Sequence, residues 1–270
     1  MYAQPIDLHG PGCILFLLDQ SASMNESFVG TSTSKAAASA RAINLFLRNL
    51  VLQCQRGNEI RDYYQVGIVG YGDTVGPAFR GDLIGQKLVR ISMIADYPAR
   101  MITEPLEGNP NLLIDQPIWV DGKANGGTPM KAGIDLAGSI LVDWANRHLN
   151  SFPPIVINIS GGAATDGDPR LIASQLRDIR TRDGNLLFFN AGLQNDSLPP
   201  IEFPNSSRSL QGRYANGLFE MSSELTPYMI AFARGADLPV RHGSRGFVFN
   251  ADAEKLAELL QVGTRVSTVD

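Results

Sequence analysis

The sequence predicts an α/β fold: a doubly wound, mostly parallel central sheet with helices on both faces and one short antiparallel edge strand. Three observations carry this. Residues 13–18 (CILFLL) form a continuous apolar run rather than an alternating one, the pattern of a strand buried on both faces. Comparable runs recur as YYQVGIVGYG (63–72), PPIVINIS (153–160), NLLFFNAG (185–192) and GFVFN (246–250). Between them lie segments whose apolar residues step by three and four, the period of an amphipathic helix. Strands alternating with such helices build a parallel sheet covered on both sides.

The elements follow in order. After the first strand, residues 35 to about 55 read as a helix, with Ala36, Ala40, Ile43, Leu47 and Leu50 as its stripe and Gly57-Asn58 as its stop. The strand at 63–72 leads into residues 74–120, an excursion rich in Gly and Pro in which short strands are expected, one of them antiparallel. GGTPMKAGIDLAGSILVDWANRH is the next helix, striped by Met130, Ile134, Ala137, Leu141 and Trp144. The strand at 153–160 is followed by Asp168-Pro169, expected as N-cap and first helical residue of a helix carrying Ile172, Leu176 and Ile179. The strand at 185–192 opens onto a second excursion, a polar loop over 193–218. A short helix near 222–234, a strand at 246–250 and a last helix from Asp252 to about residue 262 complete the chain. No repeat or linker-like stretch divides it, so residues 1–270 are expected to form a single domain.

Composition narrows the function classes. A net charge of -4 offers no bulk attraction to polyanions, so no nucleic-acid partner is expected. The run at 13–18 is far short of the roughly 20 apolar residues that span a bilayer, so no membrane partner is expected. The opening residues MYAQPIDLHGPG lack the basic start and apolar stretch of a secretory leader. Cys13 and Cys54 fall in an apolar strand and near a helix end, as buried free thiols would. A cytoplasmic location is therefore expected. The glycosylation patterns at Asn25, Asn158, Asn195 and Asn205 then carry no meaning, and Asn158 lies in an expected core strand.

Ligands of such sheets bind beyond the carboxyl ends of the strands. Sequence order puts Asp19, Thr128 and Gly161-Gly162 there. Asp19-x-Ser21-x-Ser23 supplies a carboxylate and two hydroxyls within five residues, and Thr128 in GGTPM adds a third hydroxyl. Oxygen ligands with few carboxylates suit a hard cation such as magnesium. Each residue also has an ordinary role: Ser23 in a turn, Thr128 as a helix cap, Asp19 as an acceptor for its own loop.

With these motifs in order along nearly the whole chain, the sequence resembles a von Willebrand factor A-type domain, the Rossmann-like fold shared with integrin inserted domains. It is most similar in pattern to bacterial intracellular members, which resemble DQSGSM, NGGTPM and PPIVINITDGEATDGDP. The resemblance implies a metal-ion-dependent adhesion site built by three loops: Asp19, Ser21 and Ser23 on the first, Thr128 on the second, and an Asp at the end of the central strand on the third. Here the third loop reads PPIVINISGGAATDGDP, so Ser160 takes the Thr position, Gly161 the Asp position and Ala163 the position of a Glu. Losing a charge-assisted contact of about 1.5–3 kcal/mol lowers affinity roughly 10- to 150-fold. Bound Mg2+ or Mn2+ is accordingly expected to be weak or absent, unless Asp166 downstream swings back as a substitute ligand.

No enzyme is expected. His9, His148 and His242 share no ligand spacing, no Gly-x-Ser-x-Gly elbow occurs, and neither GYGDTVG nor GGAATDG matches a phosphate-binding loop. The expected function is a non-enzymatic protein-interaction module whose sheet edge docks a protein partner offering an acidic side chain, directly or through a divalent cation. The alternative is a metal-free scaffold subunit binding through its two excursions, and a weaker alternative is a nucleotide-binding protein.

Overall fold

The structure, a computed structural model, describes residues 2–28, 30–106, 109–194 and 199–266. In chain order the elements are β1 (Gly12–Asp19), α1 (Lys35–Gln53), β2 (Gln55–Arg56), β3 (Glu59–Ile60), β4 (Tyr64–Tyr71), β5 (Val75–Pro77), β6 (Val89–Arg90), α2 (Ile91–Asp96), β7 (Arg100–Leu106), β8 (Asn109–Ile118) and α3 (Met130–Arg147). There follow β9 (Ile155–Ser160), α4 (Arg170–Arg177), β10 (Leu187–Gly192), β11 (Ile201–Glu202), α5 (Gly212–Met221), α6 (Pro227–Gly235), β12 (Phe247–Phe249) and α7 (Ala253–Gly263).

The main sheet has the order β11-β12-β10-β9-β1-β4-β5, with β6 also paired to β4. Strands β12, β10, β9, β1 and β4 run parallel. The fold is therefore α/β and doubly wound, as expected. Three short strands are antiparallel rather than one: β5 and β6 against β4, and β11 against β12.

All of β1 is buried, and its side chains alternate between two cores. Ile14, Phe16 and Leu18 join Ile43 and Leu47 of α1 and Leu256 and Leu259 of α7. Cys13, Leu15 and Leu17 join Ile134, Leu141 and Trp144 of α3, with Leu176 of α4 and Leu218 of α5. The stripes expected for α1 and α3 are buried throughout. One polar chain crosses this interior: Tyr71 donates to Asn158 (2.7 Å), Asn158 to Asn190 (3.0 Å) and Asn190 to Ser222 (3.0 Å). Asn158 is fully buried, as its place in a core strand implies.

Several boundaries differ from expectation for identifiable reasons. Helix α1 stops at Gln53 because Gln55 turns into the β2–β3 hairpin around Gly57, at φ +60°. Residues 74–120 are more ordered than an irregular excursion: β7 and β8 form a separate two-stranded ribbon. Pro105 and Pro117 argue against central strands, but a ribbon leaves outward-facing backbone positions that need no N–H. The helix expected near 222–234 is α6, which starts later, at Pro227, and a further helix, α5, precedes it. Thr226, whose hydroxyl accepts from the Met229 N–H at 3.2 Å, and Pro227 start α6 afresh. The polar loop over 193–218 accordingly contains β11 and the start of α5, while residues 195–198, including Asn195, lie outside the described residues. Asp168 is one position off as a cap: α4 begins at Arg170 with Pro169 at its N-cap, and Asp168 accepts from the Arg170 N–H at 3.0 Å.

Candidate functional site

The chain leaves β1 for β4 on one side and later returns to β9 on the other. The switch between directions falls beyond the carboxyl ends of β1 and β9, where adjacent connections diverge and open a crevice. Register puts Asp19 beside Tyr71, and Ser160 beside Gly192, at this same edge.

Three loops are sewn together over the switch point. The loop after β1 bonds the loop before α3 through Asn125 N–H to Gln20 O (2.7 Å) and Ala22 N–H to Gly126 O (3.0 Å). Gly126, at φ +79°, passes so close to Asp73 that a Cβ would lie 2.6 Å from its backbone, hence glycine. The loop before α3 bonds the loop after β9 through Thr128 N–H to Thr165 Oγ1 and Thr165 N–H to Thr128 O, both 2.9 Å.

Asp19 is the centre of this arrangement and is fully buried. One carboxylate oxygen accepts the Ser21 N–H at 2.9 Å. The other accepts the Ser160 hydroxyl at 3.1 Å and the Gly161 N–H at 3.0 Å. Burial pushes the Asp19 carboxyl above its ordinary value, and the bonds from Ser21, Gly161 and Ser160 pull it back. The Ser21 and Ser23 hydroxyls are hydrogen-bonded to each other at 3.0 Å. That separation fits two adjacent corners of a magnesium octahedron, which are about 2.9 Å apart. Thr128 is 5% exposed, and its hydroxyl has no hydrogen-bond partner among the described residues. Asp19, Ser21 and Ser23 on the first loop and Thr128 on the second are the oxygen-bearing side chains offered to a cation, with one carboxylate among them. Among the described residues no group of three or more His, Cys, Asp or Glu side chains is placed to hold a metal.

Asp166 stands elsewhere. Its two oxygens accept the N–H groups of Lys131 (3.1 Å) and Ala132 (2.8 Å), in the first turn of α3, so its contacts are those of a helix cap.

Gly161 has neighbours that sequence reading did not anticipate. A Cβ added there would meet Met24 Sδ at 2.6 Å and Lys35 Cδ at 3.7 Å. Met24 is fully buried, and the Lys35 side chain, 2% exposed, ends in an ion pair with Glu26 at 2.6 Å. The space for a carboxylate at residue 161 is thus filled by the thioether and the lysine stem. Tyr214 was also missed: its hydroxyl donates to the Ser160 carbonyl at 2.9 Å, fixing the end of β9 from α5. Neither Met24 nor Tyr214 carries a sequence signal for this role, because each acts through packing against distant residues.

Among the described residues no helix is long and apolar enough to cross a membrane. Cys13 and Cys54 are free and buried. No family model and no curated protein matches the sequence. Solved structures with a partial likeness include the manganese-loaded TRAP protein of Plasmodium vivax (15% identity, TM-score 0.38, 69% of this chain and 59% of that one). Others are the vWF domain of the type V pili tip protein Mfa5 from Porphyromonas gingivalis (13%, 0.31, 57% and 39%) and the pilus adhesin RrgA from Streptococcus pneumoniae (16%, 0.33, 61% and 22%). The chain spans less than two thirds of each.

Proposed function

We propose that this chain is a von Willebrand factor A-type protein-interaction module, of the bacterial cytoplasmic kind, and not an enzyme. Its switch-point edge docks an acidic side chain of a protein partner, through a weakly held Mg2+ or Mn2+ ion at Asp19, Ser21, Ser23 and Thr128. The observation that carries this reading is a buried carboxylate held by the loops after β1 and β9, to which the loop before α3 is bonded in turn, with the Ser21 and Ser23 hydroxyls at octahedral spacing. A cation there has one protein charge to meet it, which leaves charge for a partner's carboxylate to supply. Asp19 is held by Ser21, Ser160 and Gly161, with no general base among them. Asp166 remains a helix cap in this reading, and Gly161 remains without a substitute.

Manganese tests the reading through its paramagnetism. Added Mn2+ is expected to broaden the backbone amide signals of residues 19–25, 126–128 and 160–162 before any others. Broadening confined to exposed carboxylates elsewhere would overturn it.

The metal-free scaffold is favoured by a different observation. The β7–β8 ribbon carries Met101 (53% exposed), Leu112 (49%) and Leu113 (61%), apolar surface that a partner could cover. In that reading the contacts persist in chelator and are lost when the ribbon is altered.

A further inference from the structure

A cavity lies at the opposite end of the sheet from Asp19. Tyr64 opens β4 and pairs with Gly12, the first residue of β1, so the cavity is a strand's length from Asp19, about 23 Å. It has a volume of about 460 Å³, within the usual range for small-molecule sites. Helices α1, α6 and α7 and the start of β4 enclose it, and Phe46, Tyr63, Tyr64, Tyr228 and Phe232 give it aromatic walls.

Its charge is one-sided. Arg56 and Arg265 line it, and no Asp or Glu among the described residues does. Each guanidinium rests on an aromatic ring, Arg56 over Tyr63 (5.6 Å) and Arg265 over Phe232 (4.6 Å); one Arg56 nitrogen donates to the Gln53 and Gln55 carbonyls (both 3.0 Å), and neither arginine is in an ion pair with a described residue. Asp62, the acidic residue that acts on Cys54 in this cavity, is itself paired with Arg90 at 3.4 Å. Tyr64 adds a hydroxyl to the lining. It is 6% exposed, yet its hydroxyl has no hydrogen-bond partner among the described residues. Burial is the main cause that pushes this phenol up, and Tyr64 lines the cavity together with Cys54, Tyr228 and Arg265.

We propose that this cavity binds a small organic anion, an aryl or alkyl carboxylate. Its apolar body lies among the aromatic walls, and its carboxylate meets Arg265 and Arg56 and accepts from the Tyr64 hydroxyl. Planar guanidinium groups suit carboxylates because two N–H donors match two oxygens. The Cys54 thiol stays a spectator: burial pushes it up to about 12, so it is protonated at neutral pH.

Calorimetric titration of the full chain with 3-phenylpropionate, and with its uncharged amide, tests this. Saturable binding of the carboxylate is expected, with the amide roughly 10-fold weaker or more. Arg265→Gln is expected to lower carboxylate affinity by a similar factor and leave the amide unchanged. Arg265 is exposed, so the variant should keep its fold, which circular dichroism checks. Tyr64→Phe is expected to weaken the carboxylate by a smaller factor. Equal affinity for carboxylate and amide, indifference to Arg265→Gln, or no saturable binding of the carboxylate would each overturn the proposal.

Discussion

Asp19 shows what one side chain does at this edge. It accepts from Ser21, Ser160 and Gly161 and so fastens the loop after β1 to the end of β9. Removing it leaves those donors without an acceptor in a buried place. Asp19→Ala is therefore expected to lower unfolding stability by about 1–3 kcal/mol, read from urea denaturation. An unchanged midpoint would mean that water replaces the carboxylate freely. At this scale the sequence was legible where the chemistry is local. Asp19, Ser21 and Ser23 sit in one loop, and their spacing alone brings them together. It was not legible where volume decides: Met24 and Gly161 are far apart in sequence, and nothing in either predicts that a Cβ on one would meet the sulfur of the other.

Elements were legible where a single period fixes them. The four-and-three stripes of α1 and α3 and the continuous apolar run of β1 each point to a buried face, and those faces are buried. The β7–β8 ribbon was not legible, because it packs few side chains into the core and its prolines resemble loop punctuation. The start of α6 was readable from Thr226-Pro227, a start signal inside the helix expected near 222–234. Asp166 belongs to this scale, since it joins the loop after β9 to the first turn of α3. Asp166→Ala is expected to cost about 0.5–2 kcal/mol, the usual loss of a helix cap, and to leave cation affinity at the Asp19 edge unchanged. A fall in magnesium affinity with no fall in melting temperature would instead make Asp166 a ligand.

Across the whole molecule, topology places chemistry. Because β1 is central and the chain goes first to β4 and later to β9, the loops after β1 and β9 have to meet at one end of the sheet. The sequence order of strands and helices was enough to anticipate that edge. It could not say whether room remained there for a third-loop carboxylate. The structure supplies the missing relation: the place is filled by Met24, backed by the stem of Lys35. In the proposed function the edge is an oxygen-ligand cation site short of one carboxylate, with a packed thioether in its place. Gly161→Asp alone should recover only part of the affinity, because Met24 has to move first. Calorimetric titration of magnesium into the wild type, Gly161→Asp and the double variant Gly161→Asp/Met24→Ala measures this directly. Weak binding by the wild type is expected, and binding at least roughly 10-fold tighter by the double variant, with the single variant between them. A double variant that binds no better than the wild type would contradict it.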